Sequence, residues 1–208
     1  MSQVIHFSRL LVGALILFIC QAAQAVSLDD LQQRFSHQPV LRAQFEQLRT
    51  INGMSQPLKS SGNVLIAQQH GLVWNQTKPF ALKLMMNESR MEQSMVGQPP
   101  QVVTADSNPQ MFQFNAILTA LFHADRQALE QNFRLNFSDL GNGGWQLTLQ
   151  PTTMPLNKLF RQITLNGEQF LNAIAIDDMQ GDNTRIRFFD QKTQPTTLTP
   201  DEEHHFSS

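Results

Sequence analysis

The chain has no tyrosine, one cysteine among 208 residues, and only 15% charged side chains. Each scarcity excludes something. Without tyrosine, the aromatic surface comes from 15 phenylalanines and 2 tryptophans. Most of its rings therefore carry no polar tip, and nine methionines add unbranched, adaptable apolar bulk. One cysteine rules out an internal disulfide. The histidines at 6, 37, 70, 123, 204 and 205 never adopt the spacing of a zinc site, and the adjacent pair His204-His205 cannot chelate as a helical i, i+4 pair would. No metal and no cofactor is expected. Neither a glycine-rich phosphate loop nor a nucleophile elbow is present, so no catalytic residue is expected either. The net charge is −2, and no basic stripe runs along the sequence; Arg185 and Arg187 are two cations on one strand face. That excludes nucleic acid as the expected partner.

The first 25 residues stand apart. Arg9 precedes Leu10–Ile19, an uninterrupted small and apolar run, and Ala23-Gln24-Ala25 follows with small residues at both cleavage-determining positions. This is the pattern of a secretory signal peptide cut between Ala25 and Val26. The apolar run is short for a membrane span. Cleavage removes Cys20 and Arg9, leaving a thiol-free chain with 14 basic and 17 acidic residues, a net charge of −3. Residues 26–208 then suit a single exported domain.

What remains alternates. Ser27, followed by Asp29 and Asp30, starts a short amphipathic helix with Leu28, Leu31 and Phe35 on one stripe, and Gln38-Pro39 ends it. Leu41, Ala43 and Phe45 then alternate with Arg42, Gln44 and Glu46. Between Ser61 and Arg90 the chain reads as three strands and two turns: Val64–Ala67, a break at Gln68-Gln69-His70-Gly71, a restart at Leu72, Val73 and Trp74, a turn at Lys78-Pro79, and the alternating Leu82, Leu84 and Met86. Weaker strands follow at Arg90–Met95 and Gln101–Ala105. Gln110–Ala124 has a helical stripe of large apolar residues: Phe114, Ile117, Leu118, Leu121 and Phe122. Strands resume with Phe133, Leu135 and Phe137, the turn Gly141–Gly144, and Trp145, Leu147 and Leu149. Ile163, Ile174, Ile176, Ile186 and Phe188 belong to three more strands, and Thr193–Ser208 reads as a loosely held tail. The fold class expected is α+β, mainly β: one curved antiparallel sheet curled into a barrel or half-barrel.

The order of these segments is similar to that of a known family. A leading amphipathic helix precedes the strand VLRAQFEQ; GNVLIAQQHGLVWNQTKPF follows, with a glycine, an apolar strand, a short turn, and a tryptophan followed by a proline. WQLTLQP, FRQITLNGEQFLNAIAIDDMQGDNTRIRFFD and a terminal TLTP complete it. Together they resemble the periplasmic outer-membrane lipoprotein carriers, the LolA family, and the wider LolA/LolB-like fold, over nearly the whole mature chain. That resemblance implies an incomplete barrel closed by a helical lid, with Gln110–Ala124 as lid material. It implies a hydrophobic cavity for acyl chains, and a non-enzymatic monomer that ferries a lipoprotein or other lipid-linked cargo through the periplasm, between an inner-membrane donor complex and an outer-membrane acceptor. The lining expected is Leu41, Ala43, Phe45, Leu65, Leu72 and Trp74, then Leu82, Leu84, Met86, Phe114, Ile117, Leu118, Leu121 and Phe122, then Trp145, Leu147, Leu149, Ile163, Ile174, Ile176, Ile186 and Phe188. One departure is visible. Where the carriers keep a basic residue that latches the lid, this chain aligns Gln68, which can donate through its amide but lacks charge and the guanidinium fork. The cargo thus stays open between a lipoprotein and another envelope lipid. An enzyme or enzyme accessory acting on such a lipid, in the manner of a thioesterase, is the alternative; it would need a nucleophile with a base in reach.

N-terminal sequencing of the chain recovered from an envelope fraction should begin at Val26; an intact Met1 or a lipid-modified Cys20 would overturn the export reading.

Overall fold

The structure, a computed structural model, describes residues 25–104, 106–107, 119–120 and 122–207. Eleven strands form one antiparallel sheet. Six come first: β1 (Val40–Thr50), β2 (Leu58–Ala67), β3 (Gly71–Lys78), β4 (Leu82–Met86), β5 (Arg90–Met95) and β6 (Gln101–Thr104). Five follow: β7 (Phe133–Gly141), β8 (Gly144–Pro151), β9 (Phe160–Gly167), β10 (Leu171–Asp178) and β11 (Asn183–Lys192). Each group is a meander, and β1 pairs with β11 to join them, giving the order β6-β5-β4-β3-β2-β1-β11-β10-β9-β8-β7. β6 and β7 are the two edges and do not meet, so the barrel is incomplete, as the family resemblance implied. β2 begins earlier than its apolar run suggests, because Leu58 and Lys59, both exposed, pair with Arg49 and Leu48.

The helix α1 (Leu28–Ser36) forms as its first turn dictates. Ser27 Oγ accepts from Asp30 N at 3.2 Å while Asp30 Oδ2 accepts from Ser27 N at 2.9 Å, a reciprocal capping box. Its stripe of Leu28, Leu31 and Phe35 is buried against the sheet. Phe35 meets the Trp145 indole edge-on, with centroids 6.1 Å apart. Arg34 Nη1 and Trp145 Nε1 both donate to the Glu168 carbonyl, at 2.8 and 2.9 Å, which pins the helix to the β9–β10 turn. Gly167 is required there: a Cβ would run into the Phe170 carbonyl and the indole of Trp145. A short α2 (Arg126–Glu130) leans on α1 through Arg126 and Asp29, 3.4 Å apart, and α3 (Leu156–Leu159) lies between β8 and β9.

The inner face holds the principal core, which includes Phe45, Val64, Ile66, Leu72, Trp145, Leu147 and Leu165. The outer face holds a second cluster of Val40, Leu65, Val73 and Met85. What covers the second cluster corrects the reading of the C-terminus. Instead of hanging loosely, the segment after β11 folds back over the outer face, placing Leu198 and Phe206 on that cluster and ending in α4 (Pro200–His204). Arg42 holds it. The guanidinium donates to both Glu202 carboxylate oxygens at 2.6 and 2.7 Å, and to the carbonyls of Pro195 and Thr197 at 2.8 and 3.0 Å. Lys83 Nζ donates to His205 Nδ1 at 2.9 Å, a contact that requires the neutral imidazole. Burial and then the Lys83 charge push the His205 pKa down accordingly.

The hydrogen bonds from Arg42 hold the Glu202 carboxyl well below its ordinary 4.5, at about 2. A carboxylate with a depressed pKa in the folded state contributes stability that is present above about pH 4.5 and is lost as pH falls towards 2. Amide exchange in residues 198–206 should therefore accelerate over that window before the sheet opens. Glu202→Gln should abolish the pH step, and Arg42→Met should free the segment at neutral pH, at a cost of roughly 1.5–3 kcal/mol. Unchanged exchange in Arg42→Met would show that the apolar contacts alone hold the segment.

Candidate lipid-binding cavity

The inner face is built by period-two alternation on a strongly bent sheet. Gly62 sits at a register shift between β2 and β3, and a Cβ there would collide with the Asn75 carbonyl, so the two backbones come together only without a side chain. The next alternate residues, Val64 and Ile66, face inward. Opposite Val64, Trp74 stacks on Phe45 with ring centroids 3.8 Å apart and 30° between planes. Phe188 meets Trp74 edge-on at 6.2 Å, and Phe122 meets Phe188 edge-on at 6.0 Å. Of these rings, Trp74 and Phe122 line a cavity of about 190 Å³.

Its wall contains Leu72, Trp74, Leu84 and Met86 from β3 and β4, Phe122, and Ile163, Ile174, Ile176 and Ile186 from β9, β10 and β11. These nine are among the lining residues expected from sequence. Gln47, Phe133, Leu156 and Phe160 complete the described wall and were missed. Phe133 was legible in the alternation of β7. Leu156 lies in a connection with no periodicity, and Gln47, the one polar side chain in the described wall, sits at an inward position that polarity argued against.

The other expected residues are placed differently. Leu41, Ala43, Phe45, Trp145, Leu147, Leu149 and Phe188 belong to the same apolar cluster but do not line this cavity; near Trp145 the space is taken by Phe35 of α1. Leu82 lies outside the cluster, near the start of β4. Leu65 is corrected outright: it faces the other way, in the cluster beneath the C-terminal segment. The run Val64-Leu65-Ile66-Ala67 is buried on both faces, so it shows no alternation from which a direction could be read. Phe114, Ile117, Leu118 and Leu121 lie outside the described residues.

Gln68 ties the sheet to α1. Its Nε2 donates to the Phe35 carbonyl at 2.8 Å, and its backbone N donates to the Pro39 carbonyl at 3.0 Å. The Phe35 carbonyl, in the last turn of the helix, also accepts from Gln38 N at 3.0 Å. The same side chain borders a small space shared with Thr119, Phe122 and His123. Burial pushes the His123 pKa below its ordinary value, keeping a neutral ring beside the apolar wall. Among the described residues no three metal-ligating side chains converge.

A family model described as "Outer membrane lipoprotein carrier protein LolA-like" matches residues 20–198. The chain belongs to that family. No curated protein sequence matches it. Among solved structures, a LolA superfamily protein from Nitrosomonas europaea matches at 10% identity and a TM-score of 0.47, over 88% of this chain and 99% of that one. The Pseudomonas aeruginosa MucA/MucB complex matches at 12% identity and a TM-score of 0.49, over 88% of this chain and 62% of that one. The LolA-like family is one of carriers, and the single curved, unclosed sheet found here is its fold.

Gln68→Leu removes one neutral hydrogen bond, while the Phe35 carbonyl keeps its bond from Gln38 N. It should cost about 1 kcal/mol in denaturant unfolding and speed amide exchange in residues 33–36 without touching β8. If exchange in α1 does not change, Gln68 is a solvated turn residue with no latching role.

Proposed function

We propose that this LolA-like protein is a non-enzymatic periplasmic carrier that shields the acyl chains of a lipoprotein or another lipid-linked cargo inside its half-barrel. The observation that carries the reading is the cavity of about 190 Å³, whose described wall is apolar except for Gln47. Each methylene moved from water into such a space gains about 0.8 kcal/mol. A wall of Leu, Ile, Met and aromatic rings grips without direction, so it accepts chains that differ in length and head group. It also lets go when a more apolar surface competes, which a carrier requires. Residues 1–25 act as a cleaved export signal on this reading, and Phe122, within the expected lid segment Gln110–Ala124, contributes to the described wall of the cavity. Gln68 serves as an uncharged latch. A charge-assisted bond contributes roughly 1.5–3 kcal/mol and a neutral one about 1, so the closed state is held less firmly than an arginine would hold it. The donor and acceptor are membrane complexes on either side of the periplasm.

Two measurements test this. Lipid extracted from protein purified out of its native envelope should contain acyl chains, and purified protein incubated with acyl esters should return them intact. Ile176→Trp, which fills the cavity from a half-buried position, should lower uptake of a fluorescent fatty acid at least tenfold while the melting temperature moves little. Turnover of the ester would replace the carrier with a hydrolase, and undiminished uptake in Ile176→Trp would move the binding site elsewhere.

A further inference from the structure

The antiparallel order sends five connections to one end of the sheet: the turns after β1, β3, β5 and β10, and the β8–β9 segment containing α3. Exposed apolar side chains collect there. Among the described residues ten large hydrophobics are exposed; eight lie in or beside these connections, whereas Val102 pairs with Glu92 away from them and Leu140 lies at the opposite end. Val96 is 85% exposed, Met154 64% and Phe80 54%, each in or beside a separate connection, with Leu159 in the same connection as Met154 and with Met54 and Met179 in two others.

The charges at this end are equally one-sided. Lys59, Lys78, Arg134, Arg161 and Arg185 lie within three residues of the strand ends here, and Lys158 is in α3; all six are exposed. None of the six side chains has an ion-pair or hydrogen-bond partner among the described residues. Fewer acids lie nearby, and Asp182, Asp178 and Asp177 each hold a local donor. Asp182 takes Arg49 at 3.2 Å and the Asn52 backbone N at 2.9 Å. Asp178 accepts two backbone N–H groups at 2.8 Å, and Asp177 accepts from Asn183. Nothing of this can be seen along the sequence, where the cations are scattered over 127 positions from Lys59 to Arg185 and the net charge is negative. The fold gathers them.

From these observations we infer that this end of the half-barrel docks onto an anionic lipid surface. Apolar side chains on short, separate turns can enter the head-group layer independently, while the unpaired cations around them meet lipid phosphates. Such a ring of apolar tips within uncompensated positive charge complements an anionic membrane, whereas an apolar protein partner would call for no unpaired cations. The cavity faces the same end: Leu156 and Phe160, on either side of the exposed Leu159, are part of its wall. An acyl chain leaving a docked membrane would therefore enter the wall without crossing the sheet. The docking inference goes beyond the carrier reading and is measured with an empty cavity.

The test is sedimentation of the chain from Val26 onward, which carries every element described above, with vesicles of phosphatidylglycerol and phosphatidylcholine or of phosphatidylcholine alone. The protein should bind the anionic vesicles only, and salt should weaken binding. Each of Lys158→Ala and Arg161→Ala should reduce partitioning about fivefold. Phe80→Asp and Met154→Asp should reduce it about tenfold or more, while Leu140→Asp at the other end should leave it unchanged. If Phe80→Asp or Met154→Asp lowers the melting temperature, Val96→Asp on its exposed turn decides. Ile176→Trp should still dock although its uptake is blocked; loss of docking in that variant would place the lipid contact in the cavity and overturn the inference. Absence of binding to anionic vesicles, including the case where an acidic protein binds instead, or equal losses from Leu140→Asp, would overturn it as well.

Discussion

The whole structure answers to one constraint: a strand puts alternate side chains on opposite faces, and a sheet that is apolar on a face must have that face covered. Eleven strands are too many to lie flat and twisted, and here they bend around an inner face that is apolar nearly throughout. Closing β6 onto β7 would bury that face completely. The sheet stays open instead, so helices must finish what the barrel does not. α1 does so over β8, with Phe35 against Trp145 and two donors fixed on the Glu168 carbonyl. Between the aromatic group around Trp74 and the isoleucines of β9, β10 and β11, the described residues leave a cavity.

The outer face obeys the same rule locally. On β1 to β4 a strip of Val40, Leu65, Val73 and Met85 is apolar on the side away from the cavity. The chain uses its own C-terminal segment to cover this strip, and Arg42, an outward residue on β1, anchors it with four hydrogen bonds. Arg42 and Ala43 are adjacent, so one strand fixes the cover on one face and the core on the other. The covered strip also stiffens the strands that carry Trp74, Leu84 and Met86, which supports a wall that must hold its shape while empty. Such a division of labour suits a carrier: the outer face is sealed once, in folding, and the inner face stays available to a guest.

Period-two alternation, read directly, placed most of the strands within a residue or two and put Leu72, Trp74, Leu84, Met86, Ile163, Ile174, Ile176 and Ile186 on the cavity side, because a half-covered strand writes its direction into its polarity. Ser27 and the two aspartates after it announced α1 through capping chemistry that involves only neighbours. The family likeness was carried by segment order, which is also a property of the sequence alone. Tertiary structure decided the rest. Leu65 could not be aimed from a run that is buried on both faces, since the element covering its outer side lies more than a hundred residues away. The C-terminal segment reads as a tail because each of its anchors is a single long-range contact with Arg42, Lys83 or the outer strip. Which inward residues are core and which are wall depended on where α1 came to rest. The positive, apolar-tipped end exists only because antiparallel pairing brings distant turns side by side: alternation along a strand is local and survives in sequence, whereas adjacency between strands is made by pairing and leaves no periodic trace.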